Sequence, residues 1–254
     1  MKVTIITACC NSESTIGQTI SSVLSQSYRD IEYIIVDGNS RDTTVDIIRS
    51  FGSKISKWVS EPDKGLYDAL NKGLLMAGGD IVGFLHSDDF FANDQVIEKV
   101  VAFFNRYGCD SIFGDIQYVD QKHISQILTN RKAGKCSRLK FSFGWSPPHP
   151  TFYVKRALYL KYGLFDSSFK IAADYDSMLR FLLTFKISAC YIPEVMVKMR
   201  VGGVSNRTMN DISLKWKEDY RAMRKNSFGN FGTLFFKTMR PIIHFYKSPK
   251  YLFD

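Results

Sequence analysis

The chain has 254 residues, enough to bury a substantial core in one large domain or in two small ones. Its hydrophobic fraction of 45% and its charged fraction of 23% are close to the averages of soluble globular proteins, which argues against a disordered chain. The formal net charge is +9. A basic balance of this size is compatible with nucleic acid, an anionic membrane surface or phosphorylated molecules as partners.

Composition also bears on the compartment. The five cysteines are odd in number, scattered along the chain and without a Cys-x-x-Cys spacing, which favours a reduced, cytoplasmic setting. Met1 and Lys2 are followed by only a short apolar segment, so we expect no secretory signal. No apolar run approaches the length needed to span a bilayer. We therefore expect a cytoplasmic chain, either soluble or peripheral on the inner face of the cell membrane.

Apolar strands alternate with amphipathic helices in the first half of the sequence. The predicted strands are 3–7, 33–36, 55–60 and 81–85, and the predicted helices are about 14–26, 42–51 and 66–74. This alternation requires crossover connections and therefore predicts an α/β fold with a mainly parallel sheet flanked by helices. The first strand is not followed by Gly-x-Gly-x-x-Gly, and no P-loop sequence occurs, so any bound nucleotide needs another group to neutralise its phosphates.

Two adjacent carboxylates, Asp88 and Asp89, follow the apolar segment 81–85. That segment carries no charge and is too short for a helix, so it reads as a buried strand. Open α/β sheets bind ligands in the crevice at the carboxyl ends of their strands. Carboxylates there suit Mg²⁺ or Mn²⁺, which are commonly held by one or two acids and the phosphates of a substrate. The alternative is that both acids cap the helix predicted near Asp94 or lie in a solvated loop.

In the second half, strands are predicted at 111–113, 116–119, 187–192 and 195–200, with a basic loop or hairpin at 125–140. The segment 144–152 is bracketed by prolines and is therefore stiff. It either lines a pocket with Trp145 and His149 or forms a hydrophobic corner with an exposed imidazole.

Asp174 lies where a helix with the apolar residues Met178, Leu179 and Leu182 begins. A helix N-terminus lowers the pKa of a carboxyl group and keeps it ionised. Such a carboxylate can act as a general base if a substrate hydroxyl comes within hydrogen-bonding distance. The structural alternative is a helix N-cap.

The end of the chain is basic and aromatic. Residues 211–254 contain nine Lys and Arg against four Asp and Glu, so +5 of the net charge of +9 lies there. Helices are predicted at about 211–225 and 231–246. The second combines many aromatic and aliphatic residues with Lys237, Arg240 and Lys247, as in helices that lie on anionic lipid. The alternative is that this helix packs back on the domain.

Four motifs together resemble glycosyltransferase family 2, and in particular bacterial enzymes that build surface polysaccharides. They are Val-Asp-Gly-Asn-Ser-Arg-Asp-Thr-Thr at 36–44, Glu-Pro-Asp-Lys-Gly-Leu-Tyr-Asp-Ala-Leu-Asn-Lys-Gly at 61–73, Ser-Asp-Asp at 87–89, and Ala-Asp-Tyr-Asp at 173–176 with Leu-Arg at 179–180. The resemblance covers about residues 3–205. It implies a GT-A fold over 1–205, with a nucleotide-sugar-binding half (1–115) and an acceptor half (116–205), followed by a helical tail (206–254).

The resemblance also implies an inverting transfer from a nucleotide-diphosphate sugar, in particular a UDP-sugar, with a divalent metal. It places Asp174 as the general base and Asp88 and Asp89 at the metal. The residues implied to contact the nucleotide-sugar are Thr7, Asn11, Asp37, Asp63, Lys64 and Asp88, with Asp37 at the base and Asp63 beside it. His149, Arg200 or Lys198 would add positive charge near the departing phosphates.

The sequence departs from the family pattern at two positions and lacks one motif. His86 stands where the metal motif often has its first Asp, and Ala173 stands where Glu commonly precedes the base. No Gln-x-x-Arg-Trp follows, which favours the addition of one sugar over processive polymerisation. The expected partners are the sugar donor and a saccharide or lipid-linked acceptor, with an anionic membrane surface as a further candidate and no nucleic acid.

Two other functions are compatible with parts of the sequence. A nucleotidyltransferase would use a similar sheet and metal, but it usually has a basic, glycine-rich loop after the first strand, and residues 7–12 contain no basic residue. A non-enzymatic basic module for membrane or nucleic acid would account for the tail. It would not account for the acids at the ends of the predicted strands and helices.

Overall fold

The structure is a computed structural model that describes residues 1–201 and 209–246, without the side chains of 209–211 and 240–246. The turn predicted at 202–205 and the predicted domain boundary after residue 205 lie outside the described residues.

The first half of the chain forms four parallel strands joined by helices. The strands are β1 (Val3–Cys9), β2 (Ile31–Asp37), β3 (Lys57–Ser60) and β4 (Ile81–Phe84), and the connecting helices are α1 (Ile16–Leu24), α2 (Thr44–Ser50) and α3 (Leu66–Met76). The strands lie side by side in the order β3-β2-β1-β4. These elements occur where the hydrophobic pattern predicts them, and all four strands end at the same edge of the sheet.

Both faces of this parallel sheet are buried except at its edge strand, β3. Successive side chains of a strand point to opposite faces, so Ile6 of β1 packs in one hydrophobic cluster with Leu70 of α3, whereas Ile5 packs in another with Ile20 of α1. All seven residues of β1 are buried for this reason. Strands covered on both faces read as continuous apolar runs, which is why they are recognisable in the sequence.

The second half extends the same sheet. It contains the strands β5 (Phe90–Phe91), β6 (Ser111–Val119), β7 (Ile127–Arg131), β8 (Tyr153–Lys155) and β9 (Ala189–Arg200), and the helices α4 (Val96–Tyr107), α5 (Arg138–Ser142), α6 (Arg156–Tyr162) and α7 (Ala173–Leu179). The order continues from β4 as β8-β6-β9-β5, and β7 pairs with β6. In this part only β6 and β9 run parallel to each other among the described pairings.

Two details differ from the predicted elements of this half. The segments predicted as 111–113 and 116–119 form one strand, β6, because a register shift at Gly114 and Asp115 absorbs the irregularity. Likewise 187–192 and 195–200 form the single strand β9, which crosses Pro193. The basic stretch 125–140 contains β7 and the start of α5.

The last two helices pack on the domain. They are α8 (Met209–Lys225), which contacts α7, and α9 (Phe231–Tyr246), which contacts α8 and α5. Met223, Phe228 and Leu234 are buried in the same cluster as the residues of α7. Phe231, Phe235 and Phe236 remain exposed on the outer side of α9. Over the residues with described side chains, α9 therefore packs on the domain with one face and presents aromatic rings on the other.

None of the described helices combines the length and the hydropathy that a bilayer span requires.

Candidate active site

The loops that follow β1, β2 and β4 meet at the carboxyl edge of the parallel sheet. The N–H of Asn11 donates to Oγ of Ser40 at 2.8 Å, and the amide oxygen of Asn11 accepts from the N–H of Arg41 at 2.9 Å. The hydroxyl groups of Ser12 and Ser87 lie 3.0 Å apart. Side chains from three strand ends are therefore held in one crevice, which is where α/β sheets bind ligands.

Asp37, the predicted contact of the nucleotide base, ends β2 and is fully buried. Its Oδ2 accepts hydrogen bonds from Oγ of Ser60 at 2.7 Å and from the N–H of Ser40 at 3.0 Å, and its Oδ1 accepts from Oγ of Ser40. The carboxylate thus joins the loops after β2 and β3. In this conformation Asp37 stabilises the loops that line the crevice, but its own side chain is not exposed there.

Gly38 allows the loop after β3 to reach the end of β2. A Cβ atom at Gly38 would overlap with Oδ2 of Asp63, so a larger residue here would displace the Asp63 side chain. Oδ1 of Asp63 accepts a hydrogen bond from the N–H of Gly65 at 2.8 Å. Lys64 is exposed beside it. The structure therefore brings the predicted nucleotide-sugar residues Asp63 and Lys64 to the same crevice as Asp37.

Thr7 and Asn11 differ in their access to this crevice. Thr7 lies within β1 with no exposed surface, and its hydroxyl is 3.1 Å from that of Tyr33. Asn11 is exposed and adopts a left-handed backbone conformation with φ of 50°. Asn11 can therefore reach a ligand in this crevice, whereas the Thr7 side chain is occupied within the sheet.

Asp88 and Asp89 lie just beyond β4, as predicted. Asp89 is 2% exposed, and its Oδ2 has no hydrogen-bond partner in the described structure. Thr19 of α1 fixes the main chain of this loop, because its hydroxyl is within hydrogen-bonding distance of the carbonyl groups of Ser87, at 2.9 Å, and Asp89, at 2.7 Å. Burial and then the adjacent Asp88 raise the pKa of Asp89 well above its usual value, against the opposing effect of Arg200.

Arg200 places a positive charge beside this acidic pair. It ends β9, and its guanidinium group donates to the carbonyl of Asp88 and to the side-chain oxygen of Gln18. The same group lies over the ring of Phe90 at 5.1 Å. Burial lowers the pKa of Arg200, against the opposing effects of Asp88 and Asp89, but a guanidinium group remains charged at neutral pH. Arg200 was one of three residues predicted to face the departing phosphates.

The acidic pair has the properties of a divalent-cation site. A buried carboxylate oxygen without a partner is costly, and binding a cation would satisfy it. No group of three or more His, Cys, Asp or Glu residues converges as a metal cluster within the described part of the chain. Asp88 and Asp89 therefore fit an ion whose remaining oxygen ligands come from water or phosphate, as is usual for Mg²⁺.

Asp174 lies in the first turn of α7, and it is not the N-cap. The N-cap position is Ala172, and no side-chain cap is present. The hydroxyl of Tyr67, on α3, lies 3.1 Å from Oδ1 of Asp174 and also within hydrogen-bonding distance of the Ile171 carbonyl, so one proton is shared between two acceptors. The proposed alternative role of Asp174 as a helix cap is therefore wrong for this structure.

The surroundings of Asp174 keep it ionised. Burial alone would raise its pKa, but His149 in its protonated form, Lys215 and Lys237 lower it, and the net shift is downward. Burial lowers the pKa of His149 to about 4, so its imidazole is neutral at pH 7. At neutral pH the two lysines are therefore the charges that stabilise this carboxylate.

A carboxylate of α8 holds the segment that precedes α7. The buried carboxylate of Glu218 accepts hydrogen bonds from three consecutive main-chain N–H groups, those of Lys170 (2.8 Å), Ile171 (2.8 Å) and Ala172 (3.0 Å). Three donors directed at one carboxylate fix the start of α7. Asp174 is therefore positioned by α8 from one side and by Tyr67 from the other.

His149 is buried, so of the two alternatives for this segment the hydrophobic corner with an exposed imidazole is wrong. Its ring stacks on Phe84 with centroids 5.3 Å apart and lies 5.6 Å from the ring of His86. Its Nε2 is buried without a hydrogen-bond partner among the described residues. Trp145 is also buried, and its indole N–H donates to the carbonyl of Ala133 at 2.8 Å. A neutral imidazole supplies no positive charge to a phosphate, which leaves Arg200 and Lys198 from the predicted three.

Sequence reasoning did not identify Tyr67, Glu218 or Lys237 as parts of this site. Tyr67 stands in the motif at 61–73, but its role depends on a partner 107 positions away. Glu218 and Lys237 stand in the basic C-terminal segment, where charges are usually solvated. A buried acid or lysine cannot be told from an exposed one without the tertiary structure.

The architecture is that of GT-A glycosyltransferases. TarS of S. aureus in complex with UDP-GlcNAc superimposes with a TM-score of 0.68 at 19% identity, over 89% of this chain and 65% of that chain. The mannosyltransferase PcManGT from Pyrobaculum calidifontis, in complex with GDP-Man and Mn²⁺, gives a TM-score of 0.65 at 17% identity, over 96% and 68%. The predicted fold class is confirmed. The chain spans only 39% of a longer TarS chain.

The sequence model described as "Glycosyl transferase family 2" matches residues 4–172. The match covers more than half of the chain, and the chain therefore belongs to this family, as the four motifs predict. Membership supports sugar transfer over the two alternative functions named above. The matched region ends before Asp174, so the helices α7, α8 and α9 lie beyond it.

Two relatives with higher sequence identity are also named glycosyltransferases. An uncharacterized glycosyltransferase of Mycobacterium tuberculosis (strain ATCC 25618 / H37Rv) is 34% identical over 180 residues, which are 70% of this chain and 68% of that protein. A PGL/p-HBAD biosynthesis glycosyltransferase of Mycobacterium bovis (strain BCG / Pasteur 1173P2) is 26% identical over 216 residues, or 83% and 82% of the two chains.

Proposed function

We propose that this chain is a metal-dependent, inverting glycosyltransferase that moves one sugar from a nucleotide-diphosphate sugar to a hydroxyl group of a saccharide or lipid-linked acceptor in polysaccharide biosynthesis. The observation that carries the proposal is the buried, unpartnered Oδ2 of Asp89 next to Asp88 at the carboxyl end of β4. Family membership supports the transfer of a sugar. The acidic pair supports the use of a metal and of a donor whose phosphates complete its coordination.

In this mechanism Asp88 and Asp89 would hold a Mg²⁺ or Mn²⁺ ion, and that ion would supply positive charge for the leaving diphosphate. Arg200 orients the loop that carries both acids through its hydrogen bond to the Asp88 carbonyl. The nucleotide would lie in the crevice lined by Asn11 and Asp63.

Asp174 is the proposed general base. Its carboxylate is ionised at neutral pH, and it accepts the proton of the acceptor hydroxyl as the new glycosidic bond forms. Tyr67 orients Oδ1 of Asp174, and we propose the other carboxylate oxygen, Oδ2, as the atom that receives the proton. A single base and direct attack opposite the leaving diphosphate give inversion at the anomeric carbon.

The donor and the acceptor are proposed by class. TarS is known in complex with UDP-GlcNAc and PcManGT in complex with GDP-Man, and of these two nucleotide types we propose a UDP-sugar as the donor. The acceptor is proposed to be a saccharide or a lipid-linked molecule. Such an acceptor would be reached most readily by a protein on the inner face of the cell membrane.

The decisive experiment measures the release of nucleoside diphosphate from a panel of UDP-, GDP- and dTDP-sugars with Mg²⁺, with Mn²⁺ and with excess chelator. We expect turnover of one donor class that requires an ion and an added saccharide acceptor. The anomeric configuration of the product, read from NMR coupling constants, tests inversion. Full activity in excess chelator would refute the metal dependence, and retention of configuration would refute the direct displacement.

Replacing Tyr67 by Phe is expected to lower kcat by about tenfold with little change in donor affinity. The variant keeps the ring, which packs on Phe165 at 5.7 Å, and removes only the hydroxyl group, with its contacts to Asp174 and to the Ile171 carbonyl. A misoriented base loses part of the 10²–10⁴-fold contribution that general bases typically make. Steady-state kinetics with saturating donor measures the effect. Unchanged kcat would show that Tyr67 serves only the fold.

The membrane proposal rests on the outer side of α9, where Phe235 and Phe236 are exposed. Exposed aromatic rings on a basic helix favour the interface of an anionic bilayer. We expect the full chain to co-sediment with vesicles that contain anionic lipid, and the double variant Phe235→Ser with Phe236→Ser to bind them at least threefold more weakly. Phe185→Ser, at an exposed ring of another surface, is the control. Equal binding by all three proteins would contradict a role for this face.

A further inference from the structure

The buried Nε2 of His149 is a polar atom that the proposed mechanism does not use. His149 is 7% exposed, and its Nε2 has no hydrogen-bond partner among the described residues. Burying a polar atom without a partner is unfavourable, and such atoms are rare in native proteins. A ligand that forms a hydrogen bond with Nε2 would remove this cost.

The main chain around His149 is fixed, so the imidazole is presented from a rigid support. Pro148 and Pro150 flank His149, and a proline ring locks its own φ angle. The hydroxyl group of Thr151, in the same turn, accepts a hydrogen bond from the N–H of Gly114 at 3.2 Å and lies 3.1 Å from the carbonyl oxygen of Gly114. These contacts tie the turn to the buried strand β6.

Three rings surround the imidazole. It stacks on Phe84, the last residue of β4, with centroids 5.3 Å apart, and it meets the ring of Phe165 nearly at a right angle at 5.7 Å. The third ring is that of His86, 5.6 Å away, which precedes Asp88 by two residues. Of these three neighbours only His86 is partly exposed, so a ligand would reach the imidazole from the loop that carries the acidic pair.

The same cluster of rings extends to the proposed base. Phe165 packs against the ring of Tyr67 at 5.7 Å, and the hydroxyl group of Tyr67 lies 3.1 Å from Oδ1 of Asp174. His149 thus lies between the metal loop and the residues that hold the base. A transferred sugar must occupy this region, because it is bonded to the diphosphate at the metal and is attacked by the hydroxyl group that the base deprotonates.

The chemistry of the imidazole suits a hydroxyl group. Burial lowers the pKa of His149 to about 4, so the ring is neutral at pH 7 and carries a proton on only one of its nitrogens. A hydroxyl group both donates and accepts, so it can pair with Nε2 in either tautomer. A phosphate oxygen would require the tautomer with the proton on Nε2.

We propose that His149 binds the sugar of the donor, with Nε2 hydrogen-bonded to one of its hydroxyl groups. This assignment rests on the proposed function, because it requires a nucleotide-diphosphate sugar at Asp88 and Asp89. The donor is favoured over the acceptor since His149 contacts the ring of His86 in the metal loop directly, whereas Phe165 and Tyr67 separate it from Asp174.

Calorimetric titration of the wild type, His149→Phe, His149→Gln and the control His123→Phe tests this assignment. The probes are the sugar nucleotide that the donor panel selects and its bare nucleoside diphosphate, each with Mg²⁺. Phenylalanine keeps a ring against Phe84 and lacks Nε2, whereas the amide nitrogen of glutamine can stand in for Nε2. His123 is the control because 77% of its side chain is exposed. Thermal unfolding confirms that each variant is folded.

We expect His149→Phe to bind the sugar nucleotide about tenfold more weakly than the wild type, as for the loss of one buried hydrogen bond, and to bind the bare diphosphate equally well. His149→Gln should recover most of the affinity, and His123→Phe should keep all of it. Equal binding by all four proteins would overturn the proposal. So would an equal loss of affinity for the sugar nucleotide and the bare diphosphate.

Donor analogues that each lack one hydroxyl group identify the bond. One analogue should bind the wild type about tenfold more weakly than the parent donor does, whereas His149→Phe should bind both alike, because the contact is already absent. Losses that simply add for every analogue would contradict the contact. The same pattern with deoxygenated acceptors, and not with donors, would overturn the assignment to the donor sugar.

NMR of the wild type covers the case in which the variants do not fold. The chain has four histidines, and the imidazole ¹⁵N signals of His149 are assigned by elimination through single replacements of the other three. We expect the Nε2 signal to shift with the sugar nucleotide and not with the bare diphosphate. Wild-type turnover without this shift would refute the role of His149 alone, whereas a wild type that neither binds nor turns over any sugar nucleotide would refute the proposed function together with it.

Discussion

Replacement of Asp174 by Asn is expected to lower kcat by about 10²-fold or more and to leave the dissociation constant of the donor nearly unchanged. Asparagine has the size of aspartate, and its amide oxygen can still accept the hydrogen bond from Tyr67, but it cannot take a proton from an acceptor. Because Asp174 does not cap α7, the change removes no helix cap. The loss of rate therefore reports on the chemistry.

Isothermal titration with the donor and steady-state kinetics separate binding from turnover in this variant. Asp176→Asn is the matched contrast, since Asp176 lies two residues further along α7 and is fully buried, with hydrogen bonds from Arg180 at 3.3 Å and Asn226 at 2.8 Å. That variant should lose stability, seen as a lower Tm, while its folded fraction keeps its rate. Turnover by Asp174→Asn at the wild-type rate would exclude Asp174 as the base.

Asp89→Asn is expected to have a comparably large effect through the metal. An amide is a weaker ligand than a carboxylate, and the buried Oδ2 of Asp89 has no other role among its described contacts. We expect at least a 10²-fold loss of turnover at saturating Mn²⁺, since a metal ion typically contributes several kcal/mol to the stabilisation of developing charge. The fold should survive, because a buried, unpaired charge is itself unfavourable.

A thermal readout tests this prediction without turnover. A ligand that binds only the folded protein raises Tm, so Mn²⁺ with UDP should stabilise the wild-type chain and not Asp89→Asn. Asp94→Asn, at an exposed aspartate of the segment that follows β5, should respond like wild type. If Mn²⁺ with UDP raises the Tm of the wild type and of Asp89→Asn equally, the metal binds at another site.

The parallel half of the fold could be predicted from the sequence because its strands β1, β2 and β4 are buried on both faces. Runs such as Ile81–Phe84 leave a continuous apolar signal, and the helices between them show helical spacing. The strand β8 left no such signal. It has only three residues, Tyr153–Lys155, and it pairs with β4 and β6 through contacts that no local pattern encodes.

The candidate site was predictable where acids directly follow predicted strands or begin a predicted helix. Asp37, Asp88 and Asp174 belong to this group, because the carboxyl ends of parallel strands define the ligand crevice. The contacts that position them were not predictable. Tyr67 reaches Asp174 across 107 positions and Arg200 reaches the Asp88 carbonyl across 112, so these pairings depend on how the sheet closes.

The three hydrogen bonds that Glu218 accepts couple the start of α7 to the docking of α8. The amide hydrogens of Lys170, Ile171 and Ala172 can exchange with solvent only when that carboxylate moves away. They should therefore exchange at a common rate set by the transient undocking of α8, and more slowly than an ordinary loop would. Their protection factor therefore gives the free energy of undocking α8. It also gives the fraction of molecules in which the start of α7, and with it Asp174, is held in place at any instant.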